Sequence, residues 1–201
     1  MIVASACLKS ESTVTWYVDP GGAVTWSILE RDIRSDAKDR TERETEESTF
    51  LTLAKSREHP AGTGFLRVGG AAIKSTIIKD KPPFVVLTEA QFTGLDQLGR
   101  RLMNGYRITG TSFVTRDGDA WTWTLTIEDT PEEMDDELAS AELEALIGDR
   151  LQVALREGHF TKAKGFEIQD DGRIARMVKD LFDTEPKKNG PIVLELTWVI
   201  D

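Results

Sequence analysis

Residues 107–128 read RITGTSFVTRDGDAWTWTLTIE, and this stretch decides the fold class. Trp121, Trp123, Leu125 and Ile127 alternate with Thr122, Thr124 and Thr126. A period of two puts the large apolar side chains on one face of a strand and the threonines on the other. Residues 107–115 form the partner run, and Arg116-Asp117-Gly118-Asp119 is the turn between them. The spacing predicts a β-hairpin with one buried face and one threonine face. Each buried Trp removes roughly 150–250 Å² from water, so the two Trp mark a core in preference to an interface.

The same pattern recurs on either side. Thr13–Val18 and Ala23–Ile28 flank Asp19-Pro20-Gly21-Gly22, where Pro sets φ and the glycines accept positive φ. Near the C-terminus Ile192, Leu194, Leu196, Trp198 and Ile200 alternate as a last strand. Between these, Phe50–Leu53, Phe65–Val68, Ile73–Ile78 and Phe84–Leu87 are short β-prone runs broken by Gly and Pro, and Gly62-Thr63-Gly64 reads as a turn.

Helical signals interleave with the strands. Thr88-Glu89-Ala90-Gln91 has capping-box spacing, and Phe92, Leu95, Leu98, Leu102 and Met103 follow at helical spacing as far as Gly105. Thr130-Pro131-Glu132-Glu133 is a second helix start, with apolar positions running on to Gly158. A strand near Gly165–Gln169 and an Asp170-Asp171-Gly172 turn lead into a third helix from about Arg173 to Phe182. Strands and helices alternate without a regular βαβ period. The expectation is α+β, a largely antiparallel sheet of several hairpins with two or three packed helices, in one domain spanning 1–201.

Residues 30–48 carry eight acidic and five basic side chains, with Ile33 and Ala37 as the apolar exceptions. Such a stretch offers little to bury: it reads as a charged loop, with a solvated helix laced by neighbouring charges and an arm that orders against a neighbour as the alternatives.

The formal net charge is −10, and residues 128–149 hold ten carboxylates and no basic residue, which leaves the rest of the chain neutral. This cluster repels nucleic acid and anionic membranes and attracts basic partners. Glu132, Glu133, Asp135, Asp136 and Glu137 are therefore candidate partner-binding residues. Arg173, Arg176 and Lys179, at three-residue spacing, are the candidate basic counterpart on a neighbouring copy.

Catalytic patterns are missing from the sequence. The two histidines, His59 and His159, stand in no metal-ligand spacing, and the one cysteine, Cys7, excludes an internal disulfide. There is no G-x-S-x-G elbow, and Arg67 stands where a third phosphate-loop glycine belongs. No cofactor or metal is expected. Met1–Cys7 lacks the basic start and apolar length of an export signal and reads as a first strand. No apolar run reaches the roughly 18 residues of a membrane span. The expectation is a soluble, cytoplasmic or virion-type protein.

The functional expectation is a non-enzymatic structural or interaction subunit of a larger assembly, phage or virion included, that contacts other protein subunits as a homo- or hetero-oligomer. The alternatives are an acidic nucleic-acid mimic that inhibits a nucleic-acid enzyme, and a divalent-metal enzyme using carboxylates.

Overall fold

A computed structural model describes residues 8–129, 142, 145–146, 151–178 and 190–200. The opening hairpin forms as its turn residues demand. Strand β1 (Leu8–Val18) meets β2 (Val24–Ser35) in antiparallel register with Trp16 opposite Trp26, and the Asp19–Gly22 turn closes with Gly22 at φ 85°. The second hairpin is β5 (Thr109–Asp117) and β6 (Ala120–Asp129), with Val114 opposite Trp123.

Two sheets result. The larger runs β3 (Ala71–Lys79), β4 (Phe84–Phe92), β2, β1, β7 (Gln152–Leu155), β10 (Ile174–Met177), β9 (Phe166–Gln169). The smaller runs β5, β6, β11 (Ile192–Val199), β8 (His159–Lys164). The one parallel pair is β1 with β7, and the other described pairs are antiparallel. The fold is thus α+β with antiparallel-dominated sheets. Strand β8 belongs to one sheet and β9 to the other, with Gly165 at φ 78° between them.

One aromatic seam joins the sheets. Phe65, Trp26, Trp16, Trp123 and Phe166 follow one another at centroid distances of 5.4, 5.2, 5.7 and 6.4 Å, the first three contacts edge-on. Edge-to-face pairing suits the ring quadrupoles and adds about 0.5–1.5 kcal/mol per pair beyond burial. Trp123 Nε1 donates to Ser112 Oγ at 3.0 Å, whereas the indole N–H groups of Trp16 and Trp26 are buried without a protein partner.

Three α-helices are described end to end; two bury their apolar side on this interior and the other on a second, smaller cluster. Helix α3 (Leu95–Gly105) places Leu95, Leu98, Leu102 and Met103 inward, as the spacing predicts. Its start differs, however. Thr88–Gln91 belong to β4, where Thr88 pairs with Ile28, so the capping-box spacing there marks no helix. Tertiary pairing overrides a four-residue local signal.

The charged stretch follows the charge-laced helix reading over its second half and not the favoured loop. Strand β2 continues to Ser35, and Arg40–Ser56 form helix α1, so 30–48 is neither loop nor arm. Asp39 caps the helix, its Oδ1 accepting from the Glu42 N–H at 3.0 Å, and Arg40 and Glu44 pair one turn apart. Ser35 Oγ donates to Glu46, tying the polar helix to the end of β2. The apolar side is narrow. Phe50 and Ala54 suffice to dock it on Ile33, Phe84 and Val86. Phe50–Leu53 is therefore helix and not strand.

Helix α2 (Pro60–Arg67) replaces the expected turn and the strand at Phe65–Val68. Gly62 is small because a β-carbon there would lie 2.3 Å from the Arg57 carbonyl oxygen, and Gly64 faces Leu146 in the same way. These glycines serve close packing and not flexibility. Two further corrections concern the C-terminal part. Leu151–Leu155 enter a strand, which ends the expected helix before Gly158, and Ile174–Met177 are strand β10 where a helix was read. Residues 1–7, most of the helix read from Thr130, and Lys179–Phe182 lie outside the described residues.

Gly99 is a third close-approach glycine, with Ser112 Oγ 2.3 Å and Leu125 Cδ1 3.4 Å from an added β-carbon. Helix propensity alone favours Gly99→Ala by about 1 kcal/mol. The clash displaces Ser112 from Trp123 and costs about 1–3 kcal/mol. Urea denaturation of Gly99→Ala is expected to show a lower midpoint than the parent; a raised midpoint would contradict this packing.

Candidate functional site

The candidate partner-binding carboxylates Glu132, Glu133, Asp135, Asp136 and Glu137 lie outside the described residues, as does Lys179. Of the ten-carboxylate run, Glu128 is exposed, but Glu142 is buried at 2% exposure and bound to Arg67. That carboxylate is used inside the fold. Arg173 precedes β10 and Arg176 lies within it. Neighbours three apart on a strand point to opposite faces, so they do not form the basic helix face that the spacing suggested. Arg173 lies 3.8 Å from Asp171.

Arg176 belongs instead to a larger feature. Inner-face residues of the seven-stranded sheet, Trp16, Trp26, Ala90, Val153 and Ala175, are buried. The intervening residues lie on the sheet's other side, where Thr15 and Ser27 are nonetheless buried, at 4% and 7% exposure. The strand register aligns one such residue per strand across the whole width. From β3 to β9 the row is Lys74, Glu89, Ser27, Thr15, Gln152, Arg176 and Glu167. Gln152 Nε2 donates to Thr15 Oγ1 at 2.8 Å in its centre. Charges occupy the flanks and hydroxyls the middle. Lys74, Arg176 and Glu167 are exposed and Glu89 is half-buried. The flanking row contains Gln91, Thr25, Tyr17, Ala154 and Ile174, with Tyr17 37% exposed and the Arg156 guanidinium 5.5 Å from its ring centroid. The small sheet also turns outward the threonine face predicted for β6, and Thr122 and Thr197 hydroxyls meet at 3.1 Å.

A second feature is a cleft of 270 Å³ beside the β1–β2 turn, floored by Trp121 and Trp198 and flanked by Asp19 and Asp96. The two indoles are near-parallel, 12° apart at 6.4 Å, and the Arg116 guanidinium lies 4.9 Å from the Trp121 centroid. Both carboxylates are already engaged, Asp19 with Arg156 at 2.9 Å and Asp96 with Arg100 at 2.6 Å. That leaves the cleft an aromatic floor but no uncommitted acid or base on those two positions.

The third is a buried polar cluster under α1 and α2. A β-bulge in β2, with Asp32 at φ 51°, keeps Glu30 and Ile33 on the inner face. His59, at the start of α2, places Nε2 2.9 Å from Thr88 Oγ1 and 3.7 Å from Glu30 Oε2. His59 and Thr88 are fully buried, and Ser75 Oγ lies buried on the strand beside Thr88 without a partner. A threonine, a histidine and an acid suggest a nucleophile relay, but the geometry is wrong for one. The acid of such a relay holds the other ring nitrogen, and here Thr88 and Glu30 both approach Nε2, so no carboxylate holds Nδ1. The residues are also sealed from any substrate. Among the described residues no group of three or more His, Cys, Asp and Glu is placed to hold a metal.

What the cluster does is hold a proton. Burial pushes the Glu30 carboxyl up to about 7 and the His59 imidazole down to about 4, the latter opposed by the Leu53 carbonyl. At pH 6 the proton therefore sits on Glu30 and the imidazole is neutral. Glu30 makes stability fall as pH rises from 4.5 to 7, because the folded chain retains a proton that the unfolded chain releases. His59 makes stability rise as pH goes from 4 to 6.5, because the unfolded chain takes up the proton instead. The two nearly cancel. Urea unfolding across this range is expected to be flat for this pair in the parent. Glu30→Gln unmasks His59 and raises stability with pH by up to about 1.4 kcal/mol per unit, while His59→Gln gives the opposite slope. A Glu30→Gln profile parallel to the parent's would remove the assignment.

No helix among the described residues is long and apolar enough to cross a membrane. No family model matches the chain, and no curated protein matches it significantly. Among solved structures the chain is similar to the folded domain of LppM from Mycobacterium tuberculosis, at 10% sequence identity and a TM-score of 0.42, over all of this chain and 96% of that one.

Proposed function

We propose that this chain is a non-enzymatic interaction subunit of a larger assembly, acting through protein–protein contact. The observation that carries the reading is the pair of charged flanks on the seven-stranded sheet, where exposed Lys74 lies beside half-buried Glu89 at one edge and exposed Arg176 beside exposed Glu167 at the other. Balanced, exposed charges on the flanks of a sheet suit a wet, polar protein interface of moderate strength. The buried Glu30–His59–Thr88 cluster supports the same reading, since the one acid–histidine–hydroxyl group in the described core is sealed from substrate. The nucleic-acid-mimic alternative has less support. Glu142, one of its ten carboxylates, is turned inward onto Arg67.

The test is the native mass of the untagged chain in an extract of its natural source. It is expected to migrate well above 22.4 kDa at low salt and to move toward that mass as salt screens the flanking charges. Migration as a monomer at both salts would overturn the reading.

A further inference from the structure

We infer that the cleft beside the β1–β2 turn is a binding site for one neutral hexopyranose ring, free or at the end of a glycan. This goes beyond the interaction-subunit reading and stands apart from it, because the cleft shares no residue with the charged flanks of the large sheet.

Size and shape come first. A volume of 270 Å³ lies just under the roughly 300–1,000 Å³ of sites for drug-sized ligands, which leaves room for about one ring. Pro20, Gly21 and Gly22 of the β1–β2 turn form one wall, and Thr93 and Gly94 at the start of α3 form the other. Gly94 brings no side chain, and a β-carbon there would lie 2.9 Å from Asp96 Oδ1 and 3.7 Å from the Gly22 carbonyl oxygen, so the two walls close on each other at that point. The floor is recessed, with Trp121 half-buried and Trp198 deeper, at 5% exposure. Their near-parallel rings, with centres 6.4 Å apart, are an offset pair and not a closed sandwich. Arg116 stacks on Trp121 from outside the lining.

The rim then selects the chemistry. Among the described lining residues the ionised groups are Asp19 and Asp96. Each is neutralised by an arginine that does not line the cleft, Asp19 Oδ1 by Arg156 at 2.9 Å and Asp96 Oδ2 by Arg100 at 2.6 Å. An anion meets two carboxylates, and a cation finds both already paired, so a charged guest loses hydration without gaining a counter-ion. Each carboxylate keeps acceptor sites beyond its one arginine contact, and Thr93 Oγ1, which donates to Gln97 Oε1 at 2.7 Å, is left to accept. The rim is thus rich in acceptors above an apolar, aromatic floor. The matching guest carries several O–H donors around a ring with a C–H face, which describes a pyranose. Its hydroxyls give to Asp19, Asp96 and Thr93, and its weakly positive C–H face rests on the negative face of an indole. A proline-rich segment, another usual guest of an aromatic groove, has no N–H at its prolines and leaves those acceptors unpaired.

The experiment is an NMR titration of the isotope-labelled full-length chain with the methyl glycosides of glucose, galactose, mannose and N-acetylglucosamine. At least one is expected to bind in the millimolar range, as suits a single small ring. It is expected to shift the indole N–H signals of Trp121 and Trp198, assigned through Trp121→Phe and Trp198→Phe, and to leave those of Trp16, Trp26 and Trp123 in place. The corresponding uronide, which adds a carboxylate, is expected to bind at least about tenfold more weakly. Trp121→Ala and the double variant Asp19→Ala/Asp96→Ala are each expected to weaken binding at least about tenfold. Trp121→Phe, which keeps an aromatic floor, is expected to retain most of it, and Phe113→Ala, exposed on the small sheet outside the cleft, to retain all of it. The seam signals are expected to stay in place in every variant, which separates lost contact from lost fold. A disaccharide ending in the best ring distinguishes the sources: its binding marks a glycan end and its exclusion marks a free sugar, and either supports the site. No shift with any of the four glycosides, an equal response to sorbitol, choline or adenosine, or binding that survives Trp121→Ala would each overturn the proposal. None of these results bears on the native mass in extract, so the interaction-subunit reading stands or falls separately.

Discussion

The packing of Trp16 against Trp26 and Trp123 is the constraint on which the rest of this molecule depends. Trp16 and Trp26 come from one hairpin in the large sheet and Trp123 from another in the small sheet, so the two edge-on contacts set the distance between the sheets. Helix α2 reaches the same seam through Phe65, and β9 reaches it through Phe166. Two indole N–H groups are left without a protein partner in the process. Each costs on the order of 1–3 kcal/mol, and the burial of three large ring systems offsets that loss.

Strands whose one face met this core were legible in the sequence. Both hairpins, the first half of β4, β9 and β11 show period-two alternation, β-prone runs or turn residues strong enough to place them, and α3 shows a clean helical stripe. The errors share a cause. Helix α1 docks through little more than Phe50 and Ala54, too narrow a stripe to stand out among thirteen charges in its neighbourhood. Helix α2 is glycine-rich because it packs against Arg57 and Leu146, and glycine at a close contact looks, in sequence, like glycine at a turn. Strand β10 carries Arg176 between Ala175 and Met177, and four residues are too few to separate a period of two from one of 3.6.

The candidate sites were less legible than the fold, for a physical reason. The outer row of the large sheet draws its seven members from residues 15 to 176, and only strand order and register put them in line. Composition reports charges but not their order across a sheet. The polar cluster has the same origin: Glu30 faces inward after four alternating positions from Val24, and the bulge at Asp32 then restores Ile33 to the core. Local charge density, which pointed to residues 128–149, identifies where charge is abundant but not which of those side chains the fold turns inward, as it does Glu142.

The passage from β8 through Gly165 to β9 has a mechanical consequence. One short stretch of chain is stitched into both sheets, by β8 to β11 and by β9 to β10. Prising the sheets apart loads that stretch together with the aromatic seam, which β9 joins through Phe166. The joint therefore makes the two sheets one cooperative unit, in which neither half has a low-energy route to open while the other stays closed.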